Sequence, residues 1–216
     1  MKKHIVCFGD SNTHGFCGEL QGVRFDENTR WTCLLQKKLG EEYLIIEEGL
    51  SGRTTCFEDP LEEGLSAIPY RYPCLKTHEP VDLLVIMLGT NDTKERFGAS
   101  SECIAIGLGR LIDKAVSCVG CWKNNTPNIL IVTPQNIGRD YVNTWVRPTM
   151  GSGCAEKSEG LATEYEKIAA LKGCHYLDAN KVITAAPNKV DCMHLTAEAH
   201  VQLAEGMAAK IAEIFG

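Results

Sequence analysis

The sequence predicts an α/β fold, a three-layer α/β/α sandwich around a central five-stranded parallel sheet. Three observations predict it. Short apolar runs alternate with longer stretches of helical periodicity; the runs are apolar at consecutive positions, as in strands covered on both faces; and 216 residues suffice for one full core but not for two ordinary ones. Candidate strands cover 4–8, 43–47, 83–88 and 129–133, with a weaker one at 175–177. Helical patterns lie between them at about 29–39, 101–119 and 155–171, and a last one runs over 196–215.

The punctuation agrees with these elements. Gly40 follows the first helical pattern as a stop, Thr196 precedes the last as an N-cap, and Ser100 or Ser101 caps the second. Two long segments resist assignment: 56–80, with Pro60, Pro69, Pro73 and Pro80, and 134–153. Loops of that length inside a compact domain are expected to be functional. No repeat or linker divides the chain, so residues 1–216 are read as one domain.

Composition excludes several classes of partner. The apolar fraction of 44% and charged fraction of 23% are those of an ordinary globular chain. A net charge of -6 with no basic stripe argues against nucleic acid. The run Ile5 to Phe8 is too short for an export signal, and no stretch approaches a membrane span. Eleven cysteines, odd in number and irregular in spacing, read as reduced buried thiols and place the protein in the cytoplasm. Cys118 and Cys121 have CxxC spacing but no second pair, so structural thiols are expected there, and no metal or cofactor is called for.

In an open parallel sheet, ligands gather beyond the carboxyl ends of the strands. After the first candidate strand comes Gly9-Asp10-Ser11-Asn12; after the second, Gly49-Leu50-Ser51-Gly52-Arg53; after the third, Gly89-Thr90-Asn91-Asp92. Asp191-Cys192-Met193-His194 precedes the last helix. These residues suit acyl transfer. A serine hydroxyl needs a base, an imidazole is the usual one, and a carboxylate holds that imidazole in the right tautomer. Ser11, His194 and Asp191 supply the three groups. The backbone N–H groups of Ser11 and Gly52 and the side-chain amide of Asn91 could surround the oxyanion of a tetrahedral intermediate. Asn12, His14, Phe16, Thr90 and Lys94, from the same loops, are expected to line the substrate pocket.

Phe8-Gly9-Asp10-Ser11, the Gly49 to Gly52 region, Gly89-Thr90-Asn91-Asp92 and the closing Asp191-Cys192-Met193-His194 resemble, in order, the four blocks of the SGNH (GDSL-type) hydrolases. The resemblance implies a flavodoxin-like SGNH fold, with Ser11 as nucleophile, Gly52 and Asn91 as oxyanion donors, His194 as base and Asp191 orienting it. The segments Glu47 to Thr55 and Ile86 to Lys94 are similar to the arylesterase branch that includes a mycobacterial acyltransferase, although His14 and Phe16 stand where that branch tends to have tryptophan. That branch implies a homo-oligomer. The exposed apolar loop expected from Leu61, Leu65, Ile68, Tyr70 and Tyr72 points the same way.

Each residue has a plainer reading. A Gly-Asp-Ser turn alone more often caps a helix, Asp10 and Asp92 read as loop braces, and Cys17 and Cys192 as packing. His14 is the one rival base, but no carboxylate lies at comparable spacing. The expected function is therefore a serine esterase acting on small-molecule acyl esters, with water or an alcohol as acceptor. An acyltransferase or thioesterase with the same triad is the alternative. A non-catalytic flavodoxin-like anion binder is the reading from another class, and the absence of a Gly-x-Gly-x-x-Gly or Walker motif counts against it.

Overall fold

The structure is a computed structural model that describes residues 1–20 and 23–216. Five strands, β1 (Lys3–Gly9), β2 (Tyr43–Gly49), β3 (Leu83–Met87), β4 (Ile129–Thr133) and β5 (His175–Asp178), form one sheet in the order β2-β1-β3-β4-β5. Every pairing is parallel. Because side chains alternate along a strand, Val6, Phe8, Leu84, Ile86 and Ile131 enter one core while Ile5, Cys7, Val85, Leu130 and Val132 enter the other. The first core is closed by α3 (Ala67–Thr77), α4 (Ser101–Val116) and α6 (Cys154–Lys172), the second by α2 (Trp31–Leu39), α7 (Ala179–Val182) and α8 (Ala197–Phe215). The two remaining helices are single turns, α1 (Ser11–His14) and α5 (Arg147–Met150).

All five predicted strands form, as do the four predicted helices, with ends moved by a few residues. Their caps have simple causes. The Ser100 hydroxyl accepts from the Cys103 N–H (3.2 Å) and the Thr196 hydroxyl from the Ala199 N–H (3.1 Å), which places the second cap at Ser100 rather than Ser101.

The segment 56–80 differs from its reading as a loop, because Ala67 to Thr77 is helical with Pro73 inside it. Pro69 sits in the first turn, where no intrahelical donor is needed, and only Pro73 removes an interior bond. Tertiary contact supplies what local propensity lacks: Ala67, Cys74 and Leu75 are buried against the sheet. Leu65 is buried as well and Ile68 packs on the core, so of the expected exposed apolar residues only Leu61, Tyr70 and Tyr72 face solvent. All eleven cysteines are free thiols, and no described helix is long and apolar enough to cross a membrane.

Candidate active site

The loops after β1, β2 and β3 and the turn before α8 converge at one end of the sheet. Ser11 is the first residue of α1, so its N–H has no partner within the helix, and Asp10 caps that turn by accepting from the Asn12 N–H at 2.9 Å. Across from it, the segment 188–194 is wound into a tight turn with Cys192 at φ 61. The Asp191 and Cys192 N–H groups donate to Asn188 Oδ1 (2.9 Å) and to the Asn188 carbonyl (3.1 Å).

That turn brings three residues into line. The Ser11 hydroxyl donates to His194 Nε2 at 2.9 Å, and His194 Nδ1–H donates to Asp191 Oδ2 at 2.8 Å. The second carboxylate oxygen, Asp191 Oδ1, accepts from the N–H groups of Met193 (3.0 Å) and His194 (2.9 Å) and from Asn188 Nδ2 (2.8 Å). Burial works to raise the Asp191 carboxyl, but the hydrogen bond and charge of His194, with those backbone donors, outweigh it and hold the group below the ordinary carboxylate range. The residue is an anion at neutral pH. The Phe16 ring stacks on His194 with centroids 4.2 Å apart, fixing the imidazole plane from outside.

Gly52 and Asn91 line the same cavity as Ser11. Gly52 has φ +86, a conformation that favours glycine, and its N–H takes no part in a turn where Arg53 N–H donates to the Leu50 carbonyl at 3.1 Å. Asn91 Nδ2 is held by the Arg53 carbonyl at 3.2 Å and lies 3.5 Å from Asp10 Oδ2. Asp92 braces the same loop by accepting from the Thr55 N–H (2.9 Å). Burial pushes the carboxyls of both Asp10 and Asp92 up to about 6.

Ser11, Asn91 and His194 open on a cavity of about 270 Å³. Phe16, Thr90 and Lys94 line it. Lys94 is buried and its ammonium reaches Asp59 Oδ2 at 3.1 Å, where Arg96 also binds at 2.6 Å. Burial would raise Asp59, but the hydrogen bonds from Arg96, the Leu61 N–H and Lys94 outweigh it and keep it at about 2.

Two pocket expectations are corrected. Asn12 does not line the cavity: it is buried, its amide donates to the Met193 carbonyl (3.3 Å) and its Oδ1 accepts from the Leu195 N–H (2.9 Å). It ties the serine turn to the histidine turn. His14 also lies away from the cavity, at the end of α1 beside Arg24, Arg30 and Glu47, where burial and the two guanidinium charges lower its pKa.

Other site residues carry no local sequence signal. Glu62 comes from the segment before α3, and Trp145, Val146, Thr149 and Met150 come from the loop around α5. Asn188 is visible only as an Asn three residues before an Asp, a common turn pattern. Among the described residues, no three potential metal ligands converge in this cavity.

Residues 7–201 match the family described as the GDSL-like lipase/acylhydrolase family. Solved structures agree. A carbohydrate acetylesterase from Sinorhizobium meliloti is 34% identical over 99% of this chain and 100% of its own, with a TM-score of 0.89. The aryl esterase of M. smegmatis is 33% identical over 98% of this chain and 99% of its own, with a TM-score of 0.88. A lipase/acylhydrolase from Enterococcus faecalis, 19% identical over 98% of this chain and 96% of its own, shares the fold at a TM-score of 0.69. No match was found among curated protein sequences. The chain belongs to the GDSL-like lipase/acylhydrolase family and is an ester-hydrolysing serine hydrolase.

Proposed function

We propose that Ser11, His194 and Asp191 form the catalytic triad and that the substrate is an ester of a short acyl group, acetyl above all. The observation that supports this most directly is the hydrogen-bonded chain from Ser11 to Asp191, opening on a cavity of about 270 Å³. Ser11 Oγ attacks the ester carbonyl as its proton passes to His194 Nε2, while Asp191 stabilises the imidazolium. The N–H groups of Ser11 and Gly52 and the Asn91 amide receive the oxyanion. Collapse expels the alcohol, which takes the proton from His194. Water then gives a proton to His194 as it attacks the acyl-serine, and collapse breaks the acyl–Oγ bond, releasing the acid while His194 returns the proton to Ser11.

Phe16, Trp145, Met150 and Met193 give the cavity an apolar wall, which favours a small acyl group and would let an alcohol compete with water. Leu61 and Trp145, both exposed, support burial of the cavity mouth against a second copy in a homo-oligomer. Eleven free thiols favour a reducing, cytoplasmic setting, and strands drawn from residues 3 to 178 in one sheet favour a single domain.

The test is a series of p-nitrophenyl esters of increasing acyl length, run with and without added alcohol, on wild type and Ser11→Ala. We expect kcat/KM to fall by about tenfold or more once the chain outgrows the cavity, and Ser11→Ala to lose both turnover and fluorophosphonate labelling. Residual turnover in Ser11→Ala, or a preference for long chains, would contradict this reading.

A further inference from the structure

On the face of the sheet covered by α3, three unlike side chains meet outside the active site. Glu48 is the penultimate residue of the edge strand β2, and Cys74 and His78 stand four apart along α3 and its C-cap, the spacing that sets two side chains on one helix face. Their ligand atoms all lie within 4.8 Å of one another. His78 Nε2 and Glu48 Oε1 are 2.6 Å apart, and the Tyr70 hydroxyl donates to Glu48 Oε2 at 2.9 Å.

A hydrogen-bonded staple between α3 and β2 would account for Glu48, His78 and Tyr70. Core packing accounts for the burial of Cys74 but not for its placement beside two polar ligand atoms. Cys74 is buried, free and without a hydrogen-bond partner among the described residues, yet it faces a carboxylate and an imidazole rather than only hydrocarbon. We propose that Glu48, Cys74 and His78 form a binding site for a borderline-soft divalent cation, Zn²⁺ being the ion their sulfur, nitrogen and oxygen donors suit best.

The geometry permits it. Zinc bonds of about 2.0–2.3 Å in a tetrahedron set ligand atoms roughly 3.3–3.7 Å apart. The Glu48–His78 pair must therefore open, and the thiol close, by about 1 Å. Glu48 and His78 remain partly exposed, so the ion has an entry path and water can fill the fourth position. On binding, the ion takes a lone pair from His78 nitrogen, one from the Glu48 carboxylate and one from Cys74 sulfur as the thiol proton leaves to solvent.

Charge is the main opposing consideration. The Arg53 guanidinium lies over the Phe8 and Tyr70 rings, 4.2 and 5.0 Å from their centroids, and beside Cys74. Its Nη1 donates to the backbone carbonyls of Gly9 and Glu48, which ties the guanidinium to the main chain, while carboxylate and thiolate together neutralise the ion. Without an ion, burial and the Glu48 charge push the Cys74 thiol up to about 12, so it is an unreactive neutral group until a cation displaces its proton.

The experiment titrates Co²⁺, then competing Zn²⁺, into chelator-treated protein and follows the sulfur-to-cobalt charge-transfer absorption. Wild type, Cys74→Ser, His78→Ala and Cys103→Ser are compared, the last removing an exposed thiol outside the cluster. We expect one ion per chain, a band absent from Cys74→Ser, affinity at least tenfold weaker in His78→Ala, and no change in Cys103→Ser. No band in wild type, or a band that survives Cys74→Ser, would leave the cluster a hydrogen-bonded staple and overturn the proposal. If circular dichroism shows Cys74→Ser unfolded, His78→Ala decides alone, since His78 is a partly exposed residue at the helix C-cap and unchanged affinity there is equally fatal. The readout is metal binding rather than ester turnover, so its outcome is independent of the triad assignment.

Discussion

Replacing Gly18 with alanine should cripple the enzyme, although Gly18 touches neither the cavity nor Ser11. A Cβ on Gly18 would lie 2.0 Å from Asp191 Oδ2 and 2.9 Å from Asp191 Cγ. Ordinary contact needs about 3.4 Å or more, so the carboxylate or the Gly18 backbone must recede by over 1 Å. Neither moves freely. Asp191 Oδ1 is pinned by three donors, and the segment before Gly18 is held by the Cys17 N–H to the Val23 carbonyl at 3.1 Å. The oxygen displaced is the one that accepts from His194 Nδ1–H at 2.8 Å. Misplacement of about 1 Å costs roughly 100-fold and full loss of the orienting carboxylate roughly 10,000-fold, so kcat should fall within those limits, about 2.7–5.4 kcal/mol in barrier height. KM should hardly change. Steady-state kinetics on p-nitrophenyl acetate, with a thermal melt to exclude unfolding, measure this. Gly120→Ala, where a Cβ meets nothing within 4 Å, is the control. A folded Gly18→Ala enzyme with kcat within about threefold of wild type would refute both the orienting role of Asp191 and the packing argument.

Asn188→Ala removes the amide that donates to Asp191 Oδ1 and to the His194 carbonyl (2.6 Å); urea unfolding should show a loss of about 1–3 kcal/mol, and kcat should drop more than tenfold, whereas an unchanged kcat would mean the turn positions itself. Asp92→Asn tests the buried acids. Because the folded-state pKa of Asp92 is raised to about 6 from an ordinary 3.8, the folded chain binds the proton more tightly, and this contribution to stability is lost as pH rises from about 4 to 6. Asparagine keeps an acceptor for Thr55 and cannot ionise, so its advantage in Tm over wild type should grow across that window and level off above it; a pH-independent difference would count against the raised pKa. Trp145→Ala, which removes the exposed ring tilted against Phe16 at 6.4 Å, should raise the hexanoate-to-acetate ratio of kcat/KM about tenfold, and an unchanged ratio would show that the acyl group lies elsewhere.

The alternation of doubly apolar runs with helical patterns determined the sheet, its parallel sense and the edge on which the loops open, because burial on both faces leaves a strand no other periodicity. Ser11, Gly52, Asn91, Asp191 and His194, the residues of the proposed site, stand out in the sequence for a related reason: each follows a strand or precedes a helix, where polar residues are otherwise unexpected in such number. The helix at Ala67–Thr77 was not legible, since its prolines read locally as breakers and only its packing on the sheet compensates for them. Nor were the roles of Asn12 and Gly18. One polar side chain looks the same from sequence whether it lines a cavity or ties Met193 to Leu195, and a glycine 173 positions before Asp191 shows nothing of the carboxylate that fills its missing side chain. Sequence by itself determined the fold class and offered the candidate groups for the chemistry. Tertiary structure alone decided how they are held and what walls the cavity, because those contacts join residues far apart in the chain through shape and hydrogen bonding that no local pattern records.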